Sequence, residues 1–150
     1  MSADPLQQLE DWVAPLLAKL SPTEQRQLAR RIATDLRRSQ SARIAKQQNP
    51  DGSAFEPRKQ QRLRNRRGKV KAMFVQLRTA RFLRTQATSA EAVLAITGRA
   101  ARIARIHQEG LRDQVSPGGP SIIYPMRELL GLTQDDREMI LNTLADHLIS

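Results

Sequence analysis

The sequence predicts an α+β fold in which N-terminal, central and C-terminal helices pack with a small antiparallel sheet. Two patterns point there. Apolar residues recur at three- and four-residue spacing near both ends and around residue 100, and short runs fenced by turn residues fall at about 81–97 and 121–124. Composition adds a third: aromatic residues are 3 % and apolar residues 39 % of 150, so the interior has to be built from Leu, Ile, Val and Ala. That length suits a single domain, 1–150, with a lean core that self-association is a natural way to complete.

The first helix is expected from about Pro5 to Leu20, where Leu6, Leu9, Trp12, Val13, Leu16, Leu17 and Leu20 keep helical step. Pro5 suits a first turn, Pro15 kinks or divides the element, and Trp12 is a core or interface anchor. Ser21, Pro22 and Glu24 restart the helix through a capping box. Leu28, Ala29, Ile32, Ala33 and Leu36 form its apolar arc, with Arg30, Arg31, Arg37 and Arg38 on the other side. Past Leu36 the stripe thins, so the turns toward Ala45 are expected to project from the body. Asn49-Pro50-Asp51-Gly52 ends the helix, because proline restrains the residue before it and glycine supplies positive φ. An extended basic loop follows, over about 48–71.

Helical spacing returns in "KAMFVQLRTA", through Met73, Phe74 and Leu77. A hairpin comes next: a strand near 81–87, a turn at Ser89–Glu91, and Ala92–Thr97, whose apolar residues on both faces suit a central strand. Between Gly98 and Gly110 a short helix puts Ala100, Ile103, Ala104 and His107 on one face, with Arg99, Arg102 and Arg105 away from it. "VSPGGP" is a loop, "SIIYP" a further strand, and "MRELLG" either its continuation or one helical turn. Thr133 caps the last helix, Asp135 and Asp136 favour its first turn, and Ile140, Leu141, Leu144 and Leu148 form its stripe.

The net charge is +10 and unevenly spread. Arg26 to Arg84 holds 18 basic and 3 acidic residues, a net of +15, while the remainder holds 7 and 12, a net of −5. A segment so charged repels itself unless something acidic lies against it, either a phosphate backbone or an acidic protein face. Arg30, Arg37, Arg38, Arg62, Arg64, Arg66, Arg67, Lys69 and Lys71 are the candidate basic surface. The aromatic interleaving of single-strand binders is missing, and the turn at Asn49–Gly52 comes too late for a helix-turn-helix, so any DNA binding is expected to ignore sequence.

The chain has no cysteine, which excludes thiol chemistry and disulfides. Neither a signal peptide nor an apolar run of membrane-spanning length appears, so a soluble cytosolic product is expected, without a membrane partner. His107 and His147 share no metal-ligand spacing with Asp or Glu, the glycines of "SPGGPS" lack a P-loop context, and no serine sits in a nucleophile elbow. No catalytic residue, metal or cofactor is expected, and the chain does not read as an enzyme.

Three stretches, "RIAKQQNPDGSAFEPRK" (43–59), "RIARIHQEGLRD" (102–113) and "YPMRELLGLTQDDREMI" (124–140), together resemble the tail completion proteins of contractile-tailed bacteriophages, the virion morphogenesis family. "KAMFVQLRTARFL" (71–83) fits the same pattern, and the blocks keep their order over nearly the whole chain. The resemblance implies a structural virion protein that acts late in assembly. It would complete or stabilise the tail's head-proximal end and allow head–tail joining. A hexameric ring, partners among tail tube, terminator and neck or connector proteins, and location in the virion after assembly in the host cytoplasm are also implied. The family favours an aromatic where this chain has Glu109, so the contact there is expected to be polar or remodelled. His107, Gln108, Glu109, Tyr124 and Arg127 are the candidates for a subunit interface.

Within that frame Asn49, Pro50, Asp51, Gly52, Phe55, Pro57, Arg58 and Lys59 make a candidate docking loop. Phe55 would be an apolar anchor between two prolines that limit its freedom, with cations beside it. The alternative is a turn whose Phe55 packs on its own core.

Overall fold

The computed structural model describes residues 15, 17–58, 72–114 and 116–149. Along the chain come α1 (Pro22–Ala45), β1 (Leu83–Ala87), β2 (Ala92–Ile96), α2 (Ala100–Glu109), β3 (Arg112–Gln114), β4 (Ser121–Ile123) and α3 (Gln134–Ile149). The α+β expectation holds, but the strands form two separate two-stranded antiparallel sheets, β1–β2 and β3–β4, in place of one. The partner of the strand at 121–123 is β3, a polar three-residue strand with no periodicity to announce it. It pairs Arg112 with Ile123, Asp113 with Ile122 and Gln114 with Ser121. The 92–96 strand is therefore not central, although its residues are apolar throughout. Most of the expected helix over 5–20, Trp12 included, lies outside the described residues.

The described residues group into two compact units, each assembled from separated pieces of chain. The first comprises the described residues of 1–39, 84–94 and 132–150. Its core is Leu28 and Leu144, flanked by Leu17, Leu20, Ile32, Ile140 and Leu148, so the apolar stripes of α1 and α3 face each other as their spacing predicts. Both helices begin in side-chain caps. Ser21 Oγ accepts from the Glu24 amide at 3.2 Å. At α3 the Asp136 amide donates to Thr133 Oγ1 at 3.0 Å while the Thr133 amide donates to Asp136 Oδ2 at 3.0 Å, a reciprocal box with Asp in the Glu role. Asp136 is buried and also accepts from the Ser39 hydroxyl. The turn between β1 and β2 is held by Thr88, whose hydroxyl accepts from the Ala90 and Glu91 amides, both at 3.1 Å.

The second unit comprises the described residues of 40–83 and 95–131. Ile44, Phe55, Met73, Ala104 and Leu129 form its core, with Phe74, Leu77 and Ile96 packed against it. The last turns of α1 do not project: Gln40, Arg43 and Ile44 are all buried. Helix α2 ends where Gly110 turns left-handed (φ 67°) and its amide returns to the Ile106 carbonyl. A Cβ at that glycine would sit 3.3 Å from the Tyr124 carbonyl oxygen. On α2 Ile106 takes the inward place expected of Ile103, which is exposed. Residues 73–82 form consecutive turns and no helix. The cause is local: the Gln47 side-chain amide clasps Met73, accepting from its N–H (2.8 Å) and donating to its C=O (2.9 Å), and Phe74 is left-handed at φ 65°. A backbone pinned and turned in this way cannot open an α-helix. Phe82, buried at the end of these turns, lies under the guanidinium groups of Arg81 and Arg99, 5.2 and 5.9 Å from its ring centre.

Candidate functional site

The three stretches singled out in the sequence meet in the second unit, and two buried arginines join them. Arg43, on the last turns of α1, is only 7 % exposed. Its guanidinium donates to the carbonyl oxygens of Gln48 (2.9 Å), Glu128 (2.8 Å) and Leu129 (2.7 Å) and to Gln40 Oε1 (2.6 Å). Gln40 Oε1 in turn accepts from the Gly131 amide at 3.1 Å. Arg127 is 3 % exposed. It donates through Nε to the Glu56 carbonyl at 2.7 Å, and through its terminal nitrogens to the Pro57 carbonyl at 3.4 Å and His107 Nδ1 at 3.0 Å. Each planar guanidinium thus satisfies main-chain oxygens of segments far apart in sequence, a task for which Lys has the wrong geometry.

Around these staples the other contacts run between the same three segments. Asn49 Oδ1 accepts from the Glu128 amide (2.9 Å). The Gln108 side-chain amide clasps Leu130, donating to its C=O and accepting from its N–H at 2.8 and 2.9 Å. The Arg127 amide donates to the His107 carbonyl at 2.8 Å. Pro50 and Gly131 pack so closely that a Cβ on Gly131 would come 2.5 Å from the proline ring.

The candidate docking loop is therefore a built structure. Gly52 N–H closes the turn on the Asn49 carbonyl at 2.9 Å, Asn49 N–H pairs with the Ser53 carbonyl at 2.8 Å, and Gln48 bridges Ala54. The Ser53 hydroxyl and amide both donate to the Asp51 carboxylate and hold its pKa below the usual value. The loop's outer surface, Asp51–Ala54 and Glu56–Arg58, is exposed. Phe55 is not part of that surface. Its amide is fixed by the Gln47 carbonyl at 2.7 Å, and the ring, 4 % exposed, belongs to the unit's own core. Of the two readings of Phe55, an anchor for a partner or a side chain packed on its own core, the structure has the second: the loop is pinned by its phenylalanine and presents polar groups. Lys59 lies outside the described residues.

An aromatic row continues from Phe55. It stands edge-on to Phe74 (centres 5.7 Å apart), Phe74 to His107 (4.8 Å), and His107 to Tyr124 (5.1 Å). Burial, with the Arg127 and Arg58 charges, pushes the His107 pKa down from 6.5 to about 4. Arg127 can only donate, so Nδ1 of the neutral ring accepts and the proton sits on Nε2. The Arg127 pKa is itself lowered, first by burial.

His107, Gln108 and Arg127, expected at a subunit interface, are thus turned inward and satisfied by their own chain. Tyr124 is half-buried against His107, and Glu109 stays exposed, paired with Arg105 at 2.9 Å. Of the candidate basic surface, Arg30 and Arg38 are exposed on α1 and Arg37 is half-buried. Arg62, Arg64, Arg66, Arg67, Lys69 and Lys71 lie outside the described residues. Sequence reasoning missed Gln40, Arg43 and Gln47, and gave Asp136 only its place in the first turn of the last helix. Among the described residues no group of acidic, His or Cys side chains is placed to hold a metal, and no helix is long and apolar enough to cross a membrane.

The profile of the phage virion morphogenesis family matches residues 4–149. The chain is similar to the protein named tail completion protein S of Escherichia phage P2, with 40 % identity over 141 residues that cover 93 % of this chain and 94 % of that one. No solved structure is significantly similar.

Proposed function

Because this chain belongs to the phage virion morphogenesis family, we propose that it is a structural protein of phage tail assembly that completes the head-proximal end of the tail and makes it competent to join the head. It works as a homo-oligomeric ring, a hexamer matching a contractile tail, among tail tube, terminator and neck proteins, and performs no catalysis. It assembles in the host cytoplasm and remains in the virion. The observation that carries this reading is the extent of the match. A relative named for tail completion is 40 % identical across nearly all of both chains, so the likeness covers both units and every segment of the stapled hub.

The hub suits such a role. Most of its bonds end on main-chain carbonyls and amides of segments far apart in sequence. What it delivers is rigidity in a core with few aromatics, and a rigid loop outside it that loses little entropy on docking. The loop at Asn49–Arg58 is the surface through which the protein meets a neighbouring subunit or tail ring, with polar and charged groups in place of the aromatic.

The test is complementation. A phage lacking this gene should yield full heads and unjoined tails, and supplying the wild-type protein should restore joined particles in electron micrographs. Joined, infectious particles without the protein would overturn the proposal. A second reading, a sequence-independent DNA-binding protein, draws on the exposed arginines of α1. Tight binding of the isolated protein to duplex DNA, weakening steeply with salt, together with normal particles from the deletion phage, would favour it.

A further inference from the structure

In the first unit two helices share one core and carry opposite charge on their outer sides. Between Pro22 and Ser39, α1 has five arginines against Glu24 and Asp35, a net of +3; α3, leaving aside the buried Asp136, has three carboxylates against Arg137, a net of −2. The stripes opposite the shared core are cleaner still. On α1, Arg30, Arg31 and Arg38 are exposed, turned away from Leu28 and Ile32. On α3, Asp135, Glu138, Asn142 and Asp146 follow one line of helical spacing, all exposed, opposite Leu144 and Leu148. That line extends about 16 Å along the axis. Exposed Leu132 stands at its head and offers an apolar contact.

We infer that a second copy of this chain is the occupant of the acidic stripe, seating the arginine side of its α1 on Leu132 and the α3 carboxylates of its neighbour. Charge complementarity between two different surfaces of the same unit favours that pairing. Two copies joined through unlike surfaces leave one of each surface free, so the contact repeats head to tail and closes into a ring when the rotation allows. A reciprocal two-fold pairing would have to bring both stripes of each copy to one contact, although they lie on opposite sides of the shared core. This inference rests on the ring part of the proposed function and supplies its interface.

Charge reversal tests it through the mass of the full-length protein in solution. One variant carries Asp135→Arg, Glu138→Arg and Asp146→Arg; the other carries Arg30→Glu, Arg31→Glu and Arg38→Glu. At low salt the wild type should run as an oligomer that dissociates as ionic strength rises. Each variant alone should run at the monomer mass of 16.9 kDa with unchanged helical circular dichroism. Mixed, the two should reassemble, because each supplies the sign the other has lost. Should a variant lose helicity, single reversals at Glu138 and Arg31, paired in the same way, take its place. A monomeric wild type at high concentration, oligomers from either variant alone, or a mixture that stays monomeric would each overturn the inference. Complementation keeps this outcome separate from the proposed function: a wild type that completes tails while remaining monomeric sinks the contact and leaves the tail role standing.

Discussion

Arg43→Ala tests whether the hub holds the second unit together. The substitution removes four hydrogen bonds and strands the carbonyl oxygens of Gln48, Glu128 and Leu129, together with Gln40 Oε1, at a site where the arginine is 7 % exposed. Each buried acceptor left without a donor costs about 1–3 kcal/mol, but Gln40 keeps the Gly131 amide and water reaches the vacated space in part. A loss of about 3–5 kcal/mol follows, comparable with breaking a buried charge network. For a chain of this length that is a fall in melting temperature of roughly 10 °C or more. Arg43→Lys should recover little, since an ammonium cannot span three carbonyls held in a plane. The assay is urea and thermal unfolding followed by circular dichroism, at matched protein concentration. A loss under about 1 kcal/mol in Arg43→Ala would refute the reasoning, because it would mean that the carbonyls are satisfied without the arginine.

Phe55→Ala should destabilise the unit by about 3–5 kcal/mol, read in the same unfolding assay; a stable variant defective only in tail attachment would return Phe55 to a docking role. Gly131→Ala drives a methyl to within 2.5 Å of the Pro50 ring, and should cost about 1–3 kcal/mol in that assay. His107 contributes a pH dependence. Its folded pKa of about 4 lies below the ordinary 6.5, so between those values the unfolded chain binds the extra proton; stability is full above pH 6.5 and falls as pH drops toward 4. With solvent screening the loss is about 1–2 kcal/mol. His107→Gln, whose amide oxygen can still accept from Arg127, should flatten that segment of the stability–pH curve, and an unchanged curve would show that His107 does not carry it.

What the sequence made legible was whatever rests on apolar spacing and capping chemistry. The Ser21 and Thr133 caps, the Leu28–Ile32 and Ile140–Leu144 stripes, the hairpin about Thr88–Glu91 and the Gly110 stop are all local signals, and all of them stand in the structure. The hub was hidden because its members are polar. The inward side of α1 continues beyond Leu36 through Gln40, Arg43, Ile44 and Gln47 at the same three- and four-residue steps. A count of apolar residues reads this as a stripe that thins out. Each polar member makes sense only against a carbonyl or amide dozens of residues away, which spacing cannot reveal. The failure at 73–82 has the same origin: the turns follow from the Gln47 clasp on Met73, a contact across 26 residues. Which way Phe55 faces stayed open because a lone aromatic between prolines has no periodicity to decide it.

Charge carries the argument furthest from the sequence into function, and the structure divides it. The +15 midsection reads as one cationic block, yet Arg43 is spent inside the protein on carbonyl oxygens and Arg81 lies over Phe82. Among the described residues, α1 keeps three exposed arginines, Arg30, Arg31 and Arg38, on the side away from Leu28 and Ile32, with Asp35 between Arg31 and Arg38. Self-association through α3 and binding of a phosphate backbone would use the same arginines, so the two must compete. Adding duplex DNA at low salt should dissociate the oligomer, and raising protein concentration should weaken apparent DNA affinity per chain. If DNA instead binds the intact oligomer with undiminished affinity, its phosphates meet cations other than Arg30, Arg31 and Arg38, and the α1 face belongs to the neighbouring subunit alone.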